Sequence, residues 1–234
     1  MKKTYQIGFS PCPNDTFIFD AMINNRLPDN EDWQPQLLDV EALNKNAAEG
    51  RFEVTKMSFA AYAYVSDKYQ ILNAGSALGR GCGPLIISKN PLTLDDLKDK
   101  TIAIPGARTT ANLLMSIFVP ACQGKIEMVF SAIEDAVLSG LCDAGLIIHE
   151  NRFTYQHKGL LKVADLGELW EQKTGLPIPL GCIAVKRDLP EAEKQRIDTL
   201  IHQSVMYAFV HPTESKEYIA THAQEMNQIG RAHV

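Results

Sequence analysis

The sequence predicts an α/β protein with parallel sheets, helices on both sheet faces and two lobes of similar construction. Two observations support this prediction. Short apolar runs of strand length alternate with longer amphipathic runs along the chain, as in βαβ proteins. A strand, a rigid turn and a helix also follow one another twice, at residues 5–20 and 101–118. This recurrence predicts that the two turns form opposite walls of one cleft.

In the first half of the chain, the segment after the first strand is the clearest turn. Two prolines restrict its backbone, and Asn14, Asp15 and Thr16 are favourable N-cap residues ahead of the apolar run that starts at Phe17. Free N–H groups at such a helix start bind anionic small molecules in open α/β sheets, so Asn14, Asp15 and Thr16 are predicted to contact the substrate; the alternative is a well-capped turn without a ligand. The other predicted elements are strands at 35–40, 52–57 and 84–88, and helices at 41–49 and 59–65, the second of which Ser58 can cap.

The second half repeats the alternation of strand and helix. Its turn at 105–110 ends in Thr109 and Thr110, whose hydroxyl and N–H groups can bind a carboxylate or simply cap the following helix. The predicted strands lie at 101–104, 126–130, 144–148 and 181–185, and the predicted helices at 93–97, 111–118, 132–138 and from Pro190 onwards, with Pro212 between two helices. The first lobe is predicted to contain residues 1–88 and 184–228, and the second lobe residues 89–183.

Composition and charge argue against several classes of partner. The 234 residues carry a net charge of −5 without a Lys/Arg cluster, which argues against nucleic acid and anionic membranes. No apolar run reaches the roughly 18 residues of a membrane span, and the N-terminus lacks the apolar core of a signal peptide. Five cysteines without a C-x-x-C pair indicate a reducing compartment rather than disulfides or a zinc site. We therefore expect a cytoplasmic protein that binds a small molecule.

The last six residues, Ile229–Val234, are predicted to differ in origin from the rest of the chain. They are the translation of one frame of a common sequencing adapter, so we interpret them as a technical tail. The natural protein is accordingly expected to continue beyond Gln228, and the present sequence to have a truncated C-terminus.

His149 is the candidate catalytic residue. It follows the apolar run Gly145–Ile148 at the C-terminal end of a predicted strand, the edge at which α/β proteins place reactive groups. An imidazole, with an unperturbed pKa of about 6.5, can serve as a general base at neutral pH; the alternative is a hydrogen-bonded structural histidine. His149 and His157 lack helical spacing, so a metal pair is not predicted.

Two further features carry weaker chemical signals. The glycine-rich segment Gly79–Gly83 resembles a phosphate loop, but a proline and a strand follow it where a nucleotide-binding loop requires a helix. Its glycines are expected to permit a tight turn or a close approach of the backbone. Arg80 is a candidate carboxylate-binding residue or a solvated surface arginine, and Cys12 is either a nucleophile at a helix N-terminus or a packed small residue.

Taken together, five segments resemble the 1,4-dihydroxy-6-naphthoate synthase family, the menaquinone-biosynthesis lyases of the futalosine pathway. The resemblance runs from residue 7 to about residue 228. The segments are Gly8–Phe17, Thr55–Ser58, Leu78–Gly81 with Gly83–Leu85, Gly145–Tyr155 and Gly175–Gly181.

The resemblance implies a two-lobed fold like that of type II periplasmic binding proteins, with a central cleft, in a cytoplasmic enzyme. It implies cleavage of cyclic dehypoxanthine futalosine to 1,4-dihydroxy-6-naphthoate, with His149 as proton acceptor and no metal or organic cofactor. By the same resemblance, Lys56, Met57 and Ser58 form one ligand-binding segment and Thr109 and Thr110 the other. The alternatives are a chorismate dehydratase of the same pathway and a non-catalytic small-molecule binding protein; the sequence does not set the oligomeric state.

Overall fold

The computed structural model of the protein describes residues 3–28, 31–149 and 151–222. These residues divide into two compact units. The first unit contains the described residues up to 57, residues 62–76 and the described residues from 181 onwards, and the second contains residues 58–61 and 77–180. The predicted technical tail, residues 229–234, lies outside the described residues.

Strands and helices alternate along the described chain. The strands are β1 (Thr4–Phe9), β2 (Asp32–Leu37), β3 (Val54–Ser58), β4 (Tyr69–Ile71), β5 (Ala77–Gly79), β6 (Leu85–Ser88), β7 (Ile102–Ile104), β8 (Lys125–Glu127), β9 (Ala144–Ile147), β10 (Leu161–Asp165) and β11 (Ile178–Lys186). The α-helices are α1 (Pro13–Ile23), α2 (Val40–Ala48), α3 (Phe59–Tyr62), α4 (Thr110–Phe118), α5 (Ile133–Leu138), α6 (Asn151–Thr154), α7 (Leu166–Thr174), α8 (Glu191–Val210) and α9 (Pro212–His222). Short 3-10 helices cover Asp95–Asp99, Phe130–Ala132 and Tyr155–Lys158.

The first sheet has the order β2-β1-β3-β11-β4, and β5 also pairs with β11. β1 runs parallel to both β2 and β3, whereas β4 and β11 are antiparallel. Helix α1 packs against α8 and α9, and the rings of Phe9 and Phe19 stack with centroids 4.6 Å apart in the core. Gly8 leaves room for the ring of Phe52, because a Cβ at position 8 would lie 2.6 Å from that ring. Strand β1, between β2 and β3, is thereby packed in the core directly before the turn that leads to α1.

The second sheet has the order β10-β6-β9-β7-β8. β7 is parallel to β8 and β9, and β6 is antiparallel to β9 and β10. Helix α5 packs closely on β9, because a Cβ on Gly145 would lie 2.5 Å from the side chain of Ile133. Apolar residues such as Ile86, Leu114 and Leu146 are buried in the core of the second unit. β9 is therefore buried along its whole length, up to its C-terminal end.

The α/β fold class predicted from the sequence is confirmed, but the sheets are mixed rather than parallel. Side chains alternate in the same way in strands of either direction, so the sequence pattern does not encode strand direction. The predicted helix at 59–65 is limited to Phe59–Tyr62. The run 84–88, predicted to belong to the first lobe, supplies β6 of the second sheet.

Candidate functional site

The turn between β1 and α1 differs in its capping from the prediction. Helix α1 begins at Pro13 with Cys12 as N-cap, and no side chain caps it. Proline at the first helical position needs no N–H partner, so the helix starts earlier and Asn14, Asp15 and Thr16 lie within its first turn. Asn14 is exposed, and the Thr16 hydroxyl lies 3.0 Å from the carbonyl oxygen of Cys12, to which it donates.

The buried carboxylate of Asp15 is bound on both oxygens. Oδ2 accepts hydrogen bonds from the Ser10 backbone N–H at 3.0 Å and from the Ser10 hydroxyl at 2.7 Å. Oδ1 lies 2.5 Å from Nζ of Lys56. β1 and β3 are parallel neighbours, and the turn after β1 and the end of β3 bring the two charged residues together. The structure thus joins two sequence-predicted site residues, Asp15 and Lys56, in one ion pair.

Lys56 stays charged although it is buried. Burial opposes the ammonium form, but the adjacent Asp15 carboxylate outweighs this effect, so the pKa of Lys56 stands above its usual value. The side chain crosses β11 at Gly181, where a Cβ would approach Cε of Lys56 to 2.9 Å. The next residue of β3, Met57, is fully buried, and Ser58 is 3% exposed.

The cysteines near this ion pair are poor nucleophiles. Burial raises the pKa of both Cys12 and Cys182 to about 12. Thiolates carry the nucleophilic reactivity of cysteine, and at neutral pH these two groups are thiols. Of the two interpretations of Cys12, the structure therefore favours the packed small residue.

In the second unit, Thr109 and Thr110 use their hydroxyl groups to bind backbone. Thr109 is the N-cap of α4, since its Oγ1 accepts from Asn112 N–H at 3.2 Å and donates to the Gly106 carbonyl at 2.8 Å. The Thr110 hydroxyl accepts from Ala60 N–H at 3.3 Å and donates to the Leu180 carbonyl at 2.9 Å. For these side chains the structure favours the capping alternative. The first-turn N–H groups of α4 other than that of Asn112, which lack acceptors within the helix, remain the groups that can bind an anion.

His149 lies two residues beyond the end of β9, at the sheet edge that the sequence predicts. Its backbone is left-handed, with φ of 57°, and its ring packs edge-on against Phe130 with centroids 5.1 Å apart. A left-handed conformation costs a non-glycine residue roughly 1–2 kcal/mol and is enriched at functional sites. The strained backbone therefore supports a functional role for this histidine.

The segment after His149 is anchored by Arg152, which sequence reasoning did not single out. The guanidinium donates to the Gly83 carbonyl at 2.5 Å and to the Asp165 carboxylate at 3.0 Å. Asp165 in turn accepts from the N–H groups of Gly167 and Glu168 and so caps α7. Arg152 was part of a quoted motif, but its long-range partners have no signature in local sequence.

The glycine-rich segment behaves as the sequence predicts. Gly83 approaches the backbone of Gly167 so closely that a Cβ would lie 2.7 Å from its Cα, and Gly81 has φ of 62°. Arg80 is exposed, and the structure does not bring it into either buried polar cluster described above. Within residues 3–28, 31–149 and 151–222, no group of three or more His, Cys, Asp or Glu side chains has an arrangement that could hold a metal ion.

None of the described helices is long and apolar enough to cross a membrane.

Comparison with known proteins places this architecture among menaquinone-biosynthesis proteins. The family described as menaquinone biosynthesis matches residues 5–234. The chain is 47% identical over 234 residues to a 1,4-dihydroxy-6-naphtoate synthase of Thermus thermophilus, covering 98% of the chain and 84% of the relative. It is 44% identical to the protein of the same name from Streptomyces coelicolor, covering 96% of the chain and 80% of the relative.

Solved structures show the same fold. A protein from Archaeoglobus fulgidus superposes with a TM-score of 0.90 at 36% identity, over 96% of this chain and 83% of that one. The alkanesulfonate-binding protein SsuA from Xanthomonas axonopodis pv. citri superposes with a TM-score of 0.70 at 14% identity, over 93% of this chain and 78% of that one. The second likeness concerns the fold alone and confirms the predicted resemblance to periplasmic binding proteins.

Proposed function

Because this chain belongs to the menaquinone biosynthesis family, we propose that it is a 1,4-dihydroxy-6-naphthoate synthase. The observation that carries the proposal is its identity of 47% and 44%, over nearly its whole length, to two synthases from different organisms. The proposed reaction is the carbon–carbon lyase step that converts cyclic dehypoxanthine futalosine to 1,4-dihydroxy-6-naphthoate.

In this proposal His149 is the general base. A carbon–carbon lyase can use a base that removes a proton from the substrate as the bond breaks, and a positioned imidazole can accept that proton at neutral pH. The buried end of β9, the left-handed backbone at position 149 and the edge-on contact with Phe130 support a defined position of the imidazole. Fixing the ring before the substrate arrives lowers the entropic cost of the proton transfer.

Binding of the substrate is proposed to use charged and backbone groups more than hydroxyl groups. Taken unit by unit, the Lys56 ammonium supplies a positive charge in the first unit, and the N-terminal turn of α4, at Thr109 and Thr110, supplies N–H groups in the second. Met57 and Ser58 continue the segment that begins at Lys56. Asn14 and Arg80, which are exposed, remain candidates for contacts with the outer part of the substrate.

We place the enzyme in the cytoplasm. All five cysteines are free thiols, which is typical of a reducing compartment.

The test is to incubate purified protein separately with cyclic dehypoxanthine futalosine and with chorismate. Liquid chromatography with mass detection measures substrates and products. We expect 1,4-dihydroxy-6-naphthoate from the first compound and no consumption of the second. Consumption of chorismate would identify the dehydratase alternative. Saturable binding of the futalosine derivative without any turnover would identify a binding protein.

A further inference from the structure

The two charged residues of the buried ion pair in the first unit differ in exposure and in their hydrogen-bond partners. The side chain of Asp15 is 2% exposed, and the side chain of Lys56 is 10% exposed. Ser10 donates two hydrogen bonds to Oδ2 of Asp15, from its backbone N–H and from its hydroxyl. Ser10 therefore binds the carboxylate, and the carboxylate binds the lysine, whose side chain is the more exposed of the two charged ones.

The position of the ammonium is fixed from several sides. Asp15 holds Nζ at 2.5 Å, and the absence of a side chain at Gly181 lets the lysine chain lie against β11. An ammonium has three N–H donors, and in the described part of the chain Asp15 accepts from one of them. The other two N–H groups have no acceptor among the described residues, and this is the donor capacity that an anionic ligand can use.

Stability alone is a weak explanation for this arrangement. The desolvation of two buried charges roughly cancels their attraction, so replacing such pairs by apolar residues is often neutral or stabilising. A buried ammonium that binds an anionic ligand, by contrast, is kept protonated and oriented by a neighbouring buried carboxylate. The greater exposure of the cation fits the second explanation.

We propose that Asp15 is a positioning residue that holds the Lys56 ammonium as the counter-ion for the carboxylate of the bound ligand. The inference rests on the proposed function, whose naphthoate product carries such a carboxylate. Asp15 does not touch the ligand; Ser10 fixes Asp15, and Asp15 fixes Lys56. This assigns to Asp15 a role different from the direct substrate contact that the sequence predicts.

Helix α1 offers a matched control for this proposal. Asp20 lies on the same helix, is fully buried and forms an ion pair with Arg26 at 2.7 Å. Asp20→Asn removes a buried carboxylate charge as Asp15→Asn does, but none of the contacts of Asp20 involves Lys56. Both substitutions are expected to lower stability, but only Asp15→Asn is expected to weaken ligand binding.

The diagnostic readout is the pH dependence of KM. The titratable groups that face Lys56 are Asp15 and Cys12 at the start of α1 and Cys182 on β11. Burial keeps both thiols neutral, so Asp15 is the group that keeps the lysine charged. In Asp15→Asn, burial acts on Lys56 unopposed and lowers its pKa, so the ammonium is lost as the pH rises.

We expect wild-type KM to be flat between about pH 6 and about pH 9. In Asp15→Asn, KM should rise at least about tenfold at neutral pH, which is the weakening expected when a hydrogen bond to a charged group is lost, and should rise further with pH. Asp15→Glu should keep the flat profile, and Asp20→Asn should keep both the wild-type KM and its profile.

The outcomes separate this inference from the proposed function. A wild-type protein without turnover of the futalosine derivative would contradict the function. Active Asp15→Asn enzyme with wild-type KM and a flat profile would overturn the role of Asp15. Should Asp15→Asn not fold, Ser10→Ala tests the same chain of contacts while leaving both charges in place: a several-fold higher KM supports the inference, and an unchanged KM overturns it. Equilibrium binding of 6-hydroxy-2-naphthoate, an anionic probe that needs no turnover, should follow the same order of variants.

Discussion

Arg152 is the residue whose removal we expect to destabilise the second unit most clearly. Its guanidinium joins the carbonyl of Gly83, at the start of the chain leading into β6, to Asp165, the N-cap of α7. The side chains of Arg152 and Asp165 are only 17% and 4% exposed. Arg152→Met keeps the approximate volume of the side chain but removes every donor.

The expected loss of unfolding free energy follows from the buried groups that lose their partner in Arg152→Met. Removing one partner of a buried ion pair costs about 3–5 kcal/mol, because the remaining charge stays buried. Asp165 still accepts from two backbone N–H groups, and Arg152 is partly exposed, which lowers this to about 2–3 kcal/mol. The lost bond to the Gly83 carbonyl adds about 1 kcal/mol. The sum is about 3–4 kcal/mol, a large part of a typical stability of about 5–15 kcal/mol.

The assay is urea unfolding followed by circular dichroism, with Lys162→Met as matched control. Lys162 belongs to the same unit and pairs with Glu168 at 3.8 Å, but the two side chains are 45% and 58% exposed. Exposed pairs contribute at most about 1 kcal/mol, so the control should change the unfolding free energy little. Equal losses in Arg152→Met and Lys162→Met would refute the reasoning. Arg152→Lys, which retains the charge but not the fork of donors, should fall between them.

Three further predictions follow from single contacts. Thr109→Ala should lower the unfolding free energy by about 1 kcal/mol through loss of the α4 cap, whereas Thr109→Ser should retain it; equal losses in urea titrations would contradict this. Gly83→Ala should cost about 1–3 kcal/mol, because its Cβ would meet the backbone of Gly167 at 2.7 Å, and a wild-type urea midpoint would be inconsistent with that contact. In the unfolded chain the thiols of Cys12 and Cys182 lose their protons near pH 9, whereas in the folded protein burial raises the pKa of both thiols to about 12. Stability should therefore fall between these pH values by up to about 1.4 kcal/mol per pH unit for each thiol, and should fall less steeply in Cys12→Ala.

The sequence was most informative where function depends on the end of a regular element. The apolar run before His149 predicts a strand, and the structure places His149 just after β9. Its left-handed backbone had no sequence signal, because a positive φ is uncommon for any non-glycine residue and nothing in the local sequence requires it here. The two-lobe pattern predicted an α/β fold, but strand directions and the place of residues 84–88 depend on long-range pairing.

Asp15 and Thr110 show why partners were harder to predict than positions. Both were recognised as residues at a helix start, where short polar side chains ordinarily cap. In the structure Asp15 binds Lys56, 41 residues away, and Thr110 binds the Leu180 carbonyl, 70 residues away. Such contacts form only when strands and helices pack together. The local sequence therefore predicts a helix-capping role for these residues and not their long-range partners.

The most direct test of the account is the rate of 1,4-dihydroxy-6-naphthoate formation from cyclic dehypoxanthine futalosine by wild type and by His149→Gln. Thermal unfolding of both proteins serves as the control for folding. We predict product from wild type and a kcat lower by about 10²- to 10⁴-fold in the variant, as expected for the loss of a general base. A folded His149→Gln protein with near-normal turnover would contradict the assignment of the base, and a wild-type protein that forms no naphthoate would contradict the proposed function.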